Sequence, residues 1–103
     1  MVFEPFPGLT FESEALERVC RRFQVRELAV FGSFARGDAR LNSDVDLLVQ
    51  FESTARVGLL ALSRLRSELA CVLGHPVDLV PMGGLKPLVR QEVLSAARPL
   101  YAA

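Results

Sequence analysis

Two aspartates one residue apart, Asp44 and Asp46, stand at the head of the apolar run DVDLLVQF. Side chains alternate along an extended strand, so both carboxylates point to one face and Val45 and Leu47 to the other. Like charges held this close call for a cation to neutralise them or a proton on one of them. Carboxylate oxygens are the ligands that hard divalent ions such as Mg²⁺ prefer. A third acid, Asp78, lies inside another short apolar run, PVDLVP. If the two runs are neighbouring strands, all three acids can converge on one point. Three carboxylates can hold two Mg²⁺ ions roughly 4 Å apart, which stabilises the attacking and leaving oxygens in phosphoryl or nucleotidyl transfer. Most of the remaining acids fall on polar helical faces or in loops.

Gly32 and Ser33 end the preceding apolar run, RELAVFGS. Glycine at a strand end allows close approach of backbone to a ligand, and a short helix after it presents free N–H groups to a phosphate. The serine hydroxyl adds a donor, and Arg36 and Arg40 are nearby cations. The parts together suit a metal-bound nucleoside triphosphate. Two blander readings compete. Asn42, Ser43 and Asp44 can form a turn with Asp46 paired to an arginine. GSFARGDA also begins like a P-loop, but Asp38-Ala39 stand where Lys-Ser/Thr is required, so that motif fails.

The elements that must carry these residues follow from the patterning. Thr10 is placed to cap a first helix whose face is Leu16, Val19, Cys20 and Phe23, with acids in its first turn and arginines in its last. A strand through RELAVF, a brief helical turn across Ser33–Arg36 stopped by Gly37, and a turn-rich GDARLNSD come next. DVDLLVQF is the second strand. Leu62, Leu65, Leu69 and Val72 form one stripe of a helix over 57–73, with Gly74 beyond its end. HPVDLVP is the third strand, and KPLVRQEVLSAAR the last helix, with Val89, Val93, Leu94 and Ala97 on one side and Pro99 as its stop. The order α-β-(short α)-β-α-β-α predicts an α/β (α+β) domain, a small mixed three-stranded sheet covered by helices. MVFEPFPG, with two prolines and a glycine, reads as a loosely ordered segment over residues 1–9.

At 103 residues the chain is expected to be a single domain, 1–103, with no room for a separate substrate domain of ordinary size. Half of it is apolar, enough for a core. Twelve basic residues balance twelve acidic ones, so nothing in the total charge calls for nucleic acid or an anionic membrane. No apolar run approaches the ~20 residues of a membrane span, and the start lacks the charged-then-apolar pattern of a signal peptide, so a cytoplasmic protein is expected. Cys20 and Cys71 are too far apart for a Cys-x-x-Cys pair and read as reduced core or near-core thiols. His75 has no partner at ligand spacing and reads as structural. Lys86, the sole lysine, reads as a surface residue, and Tyr101 as a packing residue.

Gly32-Ser33, ten intervening residues and Asp44-Val45-Asp46 resemble the signature of the DNA polymerase β-like nucleotidyltransferase superfamily. GSFARGDARLNSDVDLLV is similar, more narrowly, to the minimal nucleotidyltransferases that act as antitoxins beside HEPN-domain toxins. The resemblance runs from about Val25 to Tyr101 and includes Asp78. It implies a nucleotidyltransferase fold and an enzyme that uses Mg²⁺, as two ions, and ATP to transfer AMP to a hydroxyl, releasing pyrophosphate. It further implies that Gly32 and Ser33 bind the triphosphate; apart from the resemblance, Arg36 and Arg40 are candidates to lie near the phosphates, against the reading of each as a solvated or fold-supporting arginine. Asp44 and Asp46 would ligate both metals, and Asp78 would ligate the catalytic metal and help deprotonate the acceptor. The implied acceptor is a tyrosine of a HEPN toxin, in a hetero-oligomer that supplies the substrate surface this chain lacks. Competing readings are an antitoxin that works by binding alone and a transferase acting on a small molecule.

Overall fold

The computed structural model describes residues 2–103, and two short strands open it. β1 (Val2–Phe6) and β2 (Leu9–Glu12) form an antiparallel hairpin around Pro7-Gly8. Gly8, at φ +84°, takes the left-handed conformation that the third position of a Pro-Gly type II turn requires. The expected loose segment is therefore a hairpin. Its inward residues Leu9 and Phe11 alternate with Thr10 and Glu12, and both are buried in the main core. Thr10 lies in β2 and is no cap. The cap of α1 (Ser13–Arg22) is Glu12, whose carboxylate accepts from the amides of Glu14 (3.3 Å) and Ala15 (2.9 Å).

The remaining elements are β3 (Val25–Phe31), α2 (Ser33–Arg36), β4 (Val45–Phe51), α3 (Leu59–Leu73), β5 (Val77–Pro81), a 3₁₀ turn over Met82–Gly84, α4 (Pro87–Ala96) and β6 (Arg98–Ala102). The sheet is mixed, as expected, but four-stranded in the order β5-β4-β3-β6. Only β4 and β5 run parallel; β3 pairs antiparallel with both β4 and β6. Arg98, expected to end the last helix, instead opens β6, which runs on through Pro99, Leu100 and Tyr101 to Ala102. Its Pro99 does not merely stop a helix; it sits opposite Ala29 in an edge strand, where its missing N–H costs no central ladder bond. Pro81 occupies the other edge, in β5.

One sheet face builds the core. Val25, Leu28 and Val30 of β3, Val45, Leu47 and Val49 of β4 and Val77 of β5 are buried with Leu16, Val19 and Cys20 of α1 and Leu65, Leu69 and Leu73 of α3. Leu62 and Val72, expected on the α3 stripe, pack partly against this cluster. Gly74 ends α3 in the left-handed conformation expected of it. An exposed Arg22–Glu68 pair (3.0 Å) ties α1 to α3. Helix α4 buries none of its residues, and Leu88, Val89 and Leu94 are exposed on it, so its expected apolar side is not inserted into the core. Cys20 is buried, which pushes its thiol pKa up to about 12, but Cys71 is exposed and does not belong to the core. Among the described residues, no helix is long and apolar enough to cross a membrane.

Candidate active site

Strand direction gathers the chemistry at one end of the sheet. Because β3 and β4 are antiparallel, the last residue of β3, Phe31, lies opposite Asp46 near the start of β4. Because β4 and β5 are parallel, Asp46 lies beside Asp78 in the ladder. Adjacent strands stand about 4.8 Å apart, so these carboxylates are same-face neighbours. Asp44 immediately precedes β4, two residues before Asp46. The sheet so brings Asp46 and Asp78 side by side and sets Asp44 at the end of the row.

The row is open. Asp44 and Asp78 are exposed and Asp46 is half-buried. Among the described residues, no three His, Cys, Asp or Glu side chains are gathered tightly enough to cage a metal ion by themselves. The expected convergence on one point is therefore an exposed row of acids instead. Burial, and then the charges of Asp78 and Asp44, raise the Asp46 pKa above its ordinary 3.8, against the opposing pull of Arg36. An all-oxygen, mutually repelling donor set suits Mg²⁺, which keeps several of its waters and binds through one or two carboxylates plus substrate phosphates. The residues thus fit that ion as part of a nucleotide complex.

Gly32 is fixed more tightly than the sequence implied. Its backbone, φ +73° and ψ −148°, occupies a region open essentially to glycine alone. A Cβ there would fall 2.1 Å from Asp46 Oδ2 and 3.0 Å from Asp46 Cγ. The glycine is needed to admit the carboxylate of the neighbouring strand, a role that spacing along the chain could not disclose. Ser33 then begins α2, whose first backbone bond runs from the Arg36 amide to the Gly32 carbonyl (3.0 Å). The amides of Ser33, Phe34 and Ala35 consequently have no partner within the helix. Gly37, at φ +84°, closes the turn as expected, its amide donating to Ser33 O (3.0 Å).

The basic candidates divide. Arg36 sits close enough to Asp46 to affect its charge, and its Nε pairs with Asp38 Oδ2 (3.3 Å) at the surface. Arg40 is exposed, and its amide donates to Ser43 Oγ (2.7 Å), a clamp within the loop leading to Asp44. Asp46 makes no ion pair, so the reading that it merely partners an arginine has no contact behind it among the described salt bridges. Lys86 is exposed beyond the far end of β5 from Asp78. Tyr101 packs against the core from β6, and there it borders a hollow of about 680 Å³ at the opposite end of the sheet, with Phe3, Phe11 and Glu52.

Two residues beside the site escaped the sequence reading. Phe34 is 2% exposed and anchors α2 in the core; an aromatic residue among turn formers was the available signal. Pro76 offers its carbonyl to the amide of Val45 (2.8 Å), pinning the residue between Asp44 and Asp46.

Comparison with known proteins places the fold and the family. Residues 12–100 match the profile of the nucleotidyltransferase domain family. The protein adenylyltransferase MntA of Thermococcus cleftensis is 47% identical over 73 residues, which are 71% of this chain and 72% of that protein. A solved structure of a minimal nucleotidyltransferase superposes with a TM-score of 0.71 at 46% identity, covering 84% of this chain and 87% of the other. A structure of tri-AMPylated Shewanella oneidensis HEPN toxin in complex with MNT antitoxin contains a chain of the same fold, with a TM-score of 0.62 at 21% identity over 87% of this chain and 69% of that one.

Proposed function

The chain belongs to the nucleotidyltransferase domain family, and on that premise we propose that it transfers AMP from ATP to a hydroxyl of a partner protein. The observation that carries this reading is the ladder pairing of Asp46 with Asp78 directly against the Gly32-Ser33 turn. The turn's free amides and the Ser33 hydroxyl would bind the triphosphate, with Arg36 released from Asp38 to join them. Asp44, Asp46 and Asp78 would hold Mg²⁺, which when bound neutralises charge on the attacking and leaving oxygens. Asp78, exposed beside Asp46, would take the proton as the acceptor oxygen forms its bond to the α-phosphorus. The bond from that phosphorus to the bridging oxygen breaks, and pyrophosphate leaves.

The acceptor we propose is a tyrosine of a HEPN-domain toxin, so that the chain acts as its antitoxin. The sequence resemblance supports this, and the name of the Thermococcus relative, a protein adenylyltransferase, supports a protein as the acceptor. An exposed row of acids on a small domain is also consistent with an acceptor that a partner surface brings. Incubating the chain with α-labelled ATP, Mg²⁺ and a HEPN-domain toxin should label the toxin, and Asp46→Asn and Asp78→Asn should each abolish labelling. Undiminished labelling by these variants sinks the assigned site. Neutralisation without labelling by the unaltered chain would favour antitoxin action by binding alone.

A further inference from the structure

We infer that His75 is a positioning residue for the triphosphate-binding turn, acting through Phe34. The inference rests on the proposed role of Gly32-Ser33. His75 occupies the corner between α3 and β5, three residues before Asp78. Its ring meets that of Phe34 edge to face, with centroids 5.1 Å apart at 73°. Phe34 directly follows Ser33 and is the only fully buried side chain of α2. On its other side the His75 Nε2–H donates to the carbonyl of Gly8 (3.0 Å), at the tip of the β1–β2 hairpin. Gly8 in turn lies against Phe34: a Cβ at Gly8 would stand 3.9 Å from the Phe34 ring.

One imidazole therefore closes a clasp of three parts that are far apart in sequence. It holds the anchor of a single-turn helix, which is too short to keep its own shape by backbone bonds. It also holds the hairpin tip that covers the same anchor. The adjoining Pro76 carbonyl bonds to Val45 and belongs to the backbone, so replacing the His75 side chain leaves the tether of the carboxylate strand in place. Loss of the imidazole should loosen the Gly-Ser turn and spare the acids.

Two measurements test this on the full chain with His75→Ala, His75→Phe and His75→Gln. Without nucleotide, amide hydrogen exchange at Arg36 and Gly37, whose N–H groups bond to Gly32 and Ser33, should quicken in His75→Ala and stay near the original rate in His75→Phe, which keeps the ring contact. Calorimetric titration with Mg²⁺·ATP should then show about three- to tenfold weaker binding for His75→Ala, the span expected of one lost edge-to-face ring pair. Mn²⁺ binding without nucleotide should change by less than about twofold. His75→Phe should recover most of the ATP affinity, and His75→Gln, which keeps only the hydrogen bond, should not. Unchanged exchange in His75→Ala overturns the clasp; faster exchange with unchanged ATP affinity overturns its role in binding. If the unaltered chain binds no Mg²⁺·ATP, the proposed function fails and with it the ligand assigned to the turn. Exchange then judges the clasp alone.

Discussion

Replacing Gly32 with alanine tests how the two halves of the site depend on each other. Alanine at φ +73°, ψ −148° costs about 1–3 kcal/mol in backbone strain. The added methyl would also stand 2.1 Å from Asp46 Oδ2, well inside contact distance, so the carboxylate must swing away. Forcing that side chain off its rotamer adds roughly 0.5–1.5 kcal/mol. A total of about 2–4 kcal/mol would lower Tm by something on the order of 10–30 °C in a domain of this size. Urea denaturation with an unchanged m-value measures the cost. The discriminating measurement repeats the substitution in an Asp46→Ala background. There the Oδ2 and Cγ contacts are gone and only the Asp46 Cβ, 3.3 Å away, remains. The penalty should shrink by roughly the rotamer share, leaving the backbone share intact. A penalty equal in both backgrounds within about 0.5 kcal/mol, the range of simple additivity, refutes the carboxylate as the reason for glycine. A penalty below about 1 kcal/mol in the unaltered background refutes the strain argument as well.

Other expectations follow from burial and charge. The folded state binds a proton at Asp46 more tightly than the unfolded chain, so this group's contribution to stability is fully present below the ordinary 3.8 and is lost as pH rises through the raised value. Asp46→Asn should accordingly be more stable than the unaltered chain at pH 7 in a chelator, with the difference vanishing below pH 3.8; a less stable variant at pH 7 contradicts the assigned charge repulsion. Leu9→Ala in the hairpin should destabilise the whole domain by about 2–5 kcal/mol in denaturant titration, because Leu9 is fully buried in the main core; a loss under 1 kcal/mol would mark the hairpin as an appendage. A maleimide should modify Cys71 readily and Cys20 only on unfolding, as mass spectrometry of native and denatured protein can show; early reaction at Cys20 would contradict its burial and raised pKa.

Local pattern and chemistry were legible along the chain. The apolar run after Asp44 marked β4, the leucine stripe and Gly74 bounded α3, and Gly37 closed α2, because each depends on residues within a turn or two of one another. The hairpin and β6 were misread because proline argues against strand in isolation. Pro81 and Pro99 are tolerated only by lying on the two sheet edges, and strand order is not a local property. Helix α4 shows the converse: its apolar positions promise burial, yet none of them is fully buried.

The sequence by itself determined which groups are available: three acids in apolar runs, a Gly-Ser turn, and the spacing that identifies the family. Tertiary structure decided how those groups meet. Parallel pairing of β4 with β5 sets Asp78 beside Asp46, and antiparallel pairing of β3 with β4 drives the Asp46 carboxylate against Gly32. Only register between strands fixes such contacts, and register is settled by burial of one whole sheet face rather than by the residues that touch.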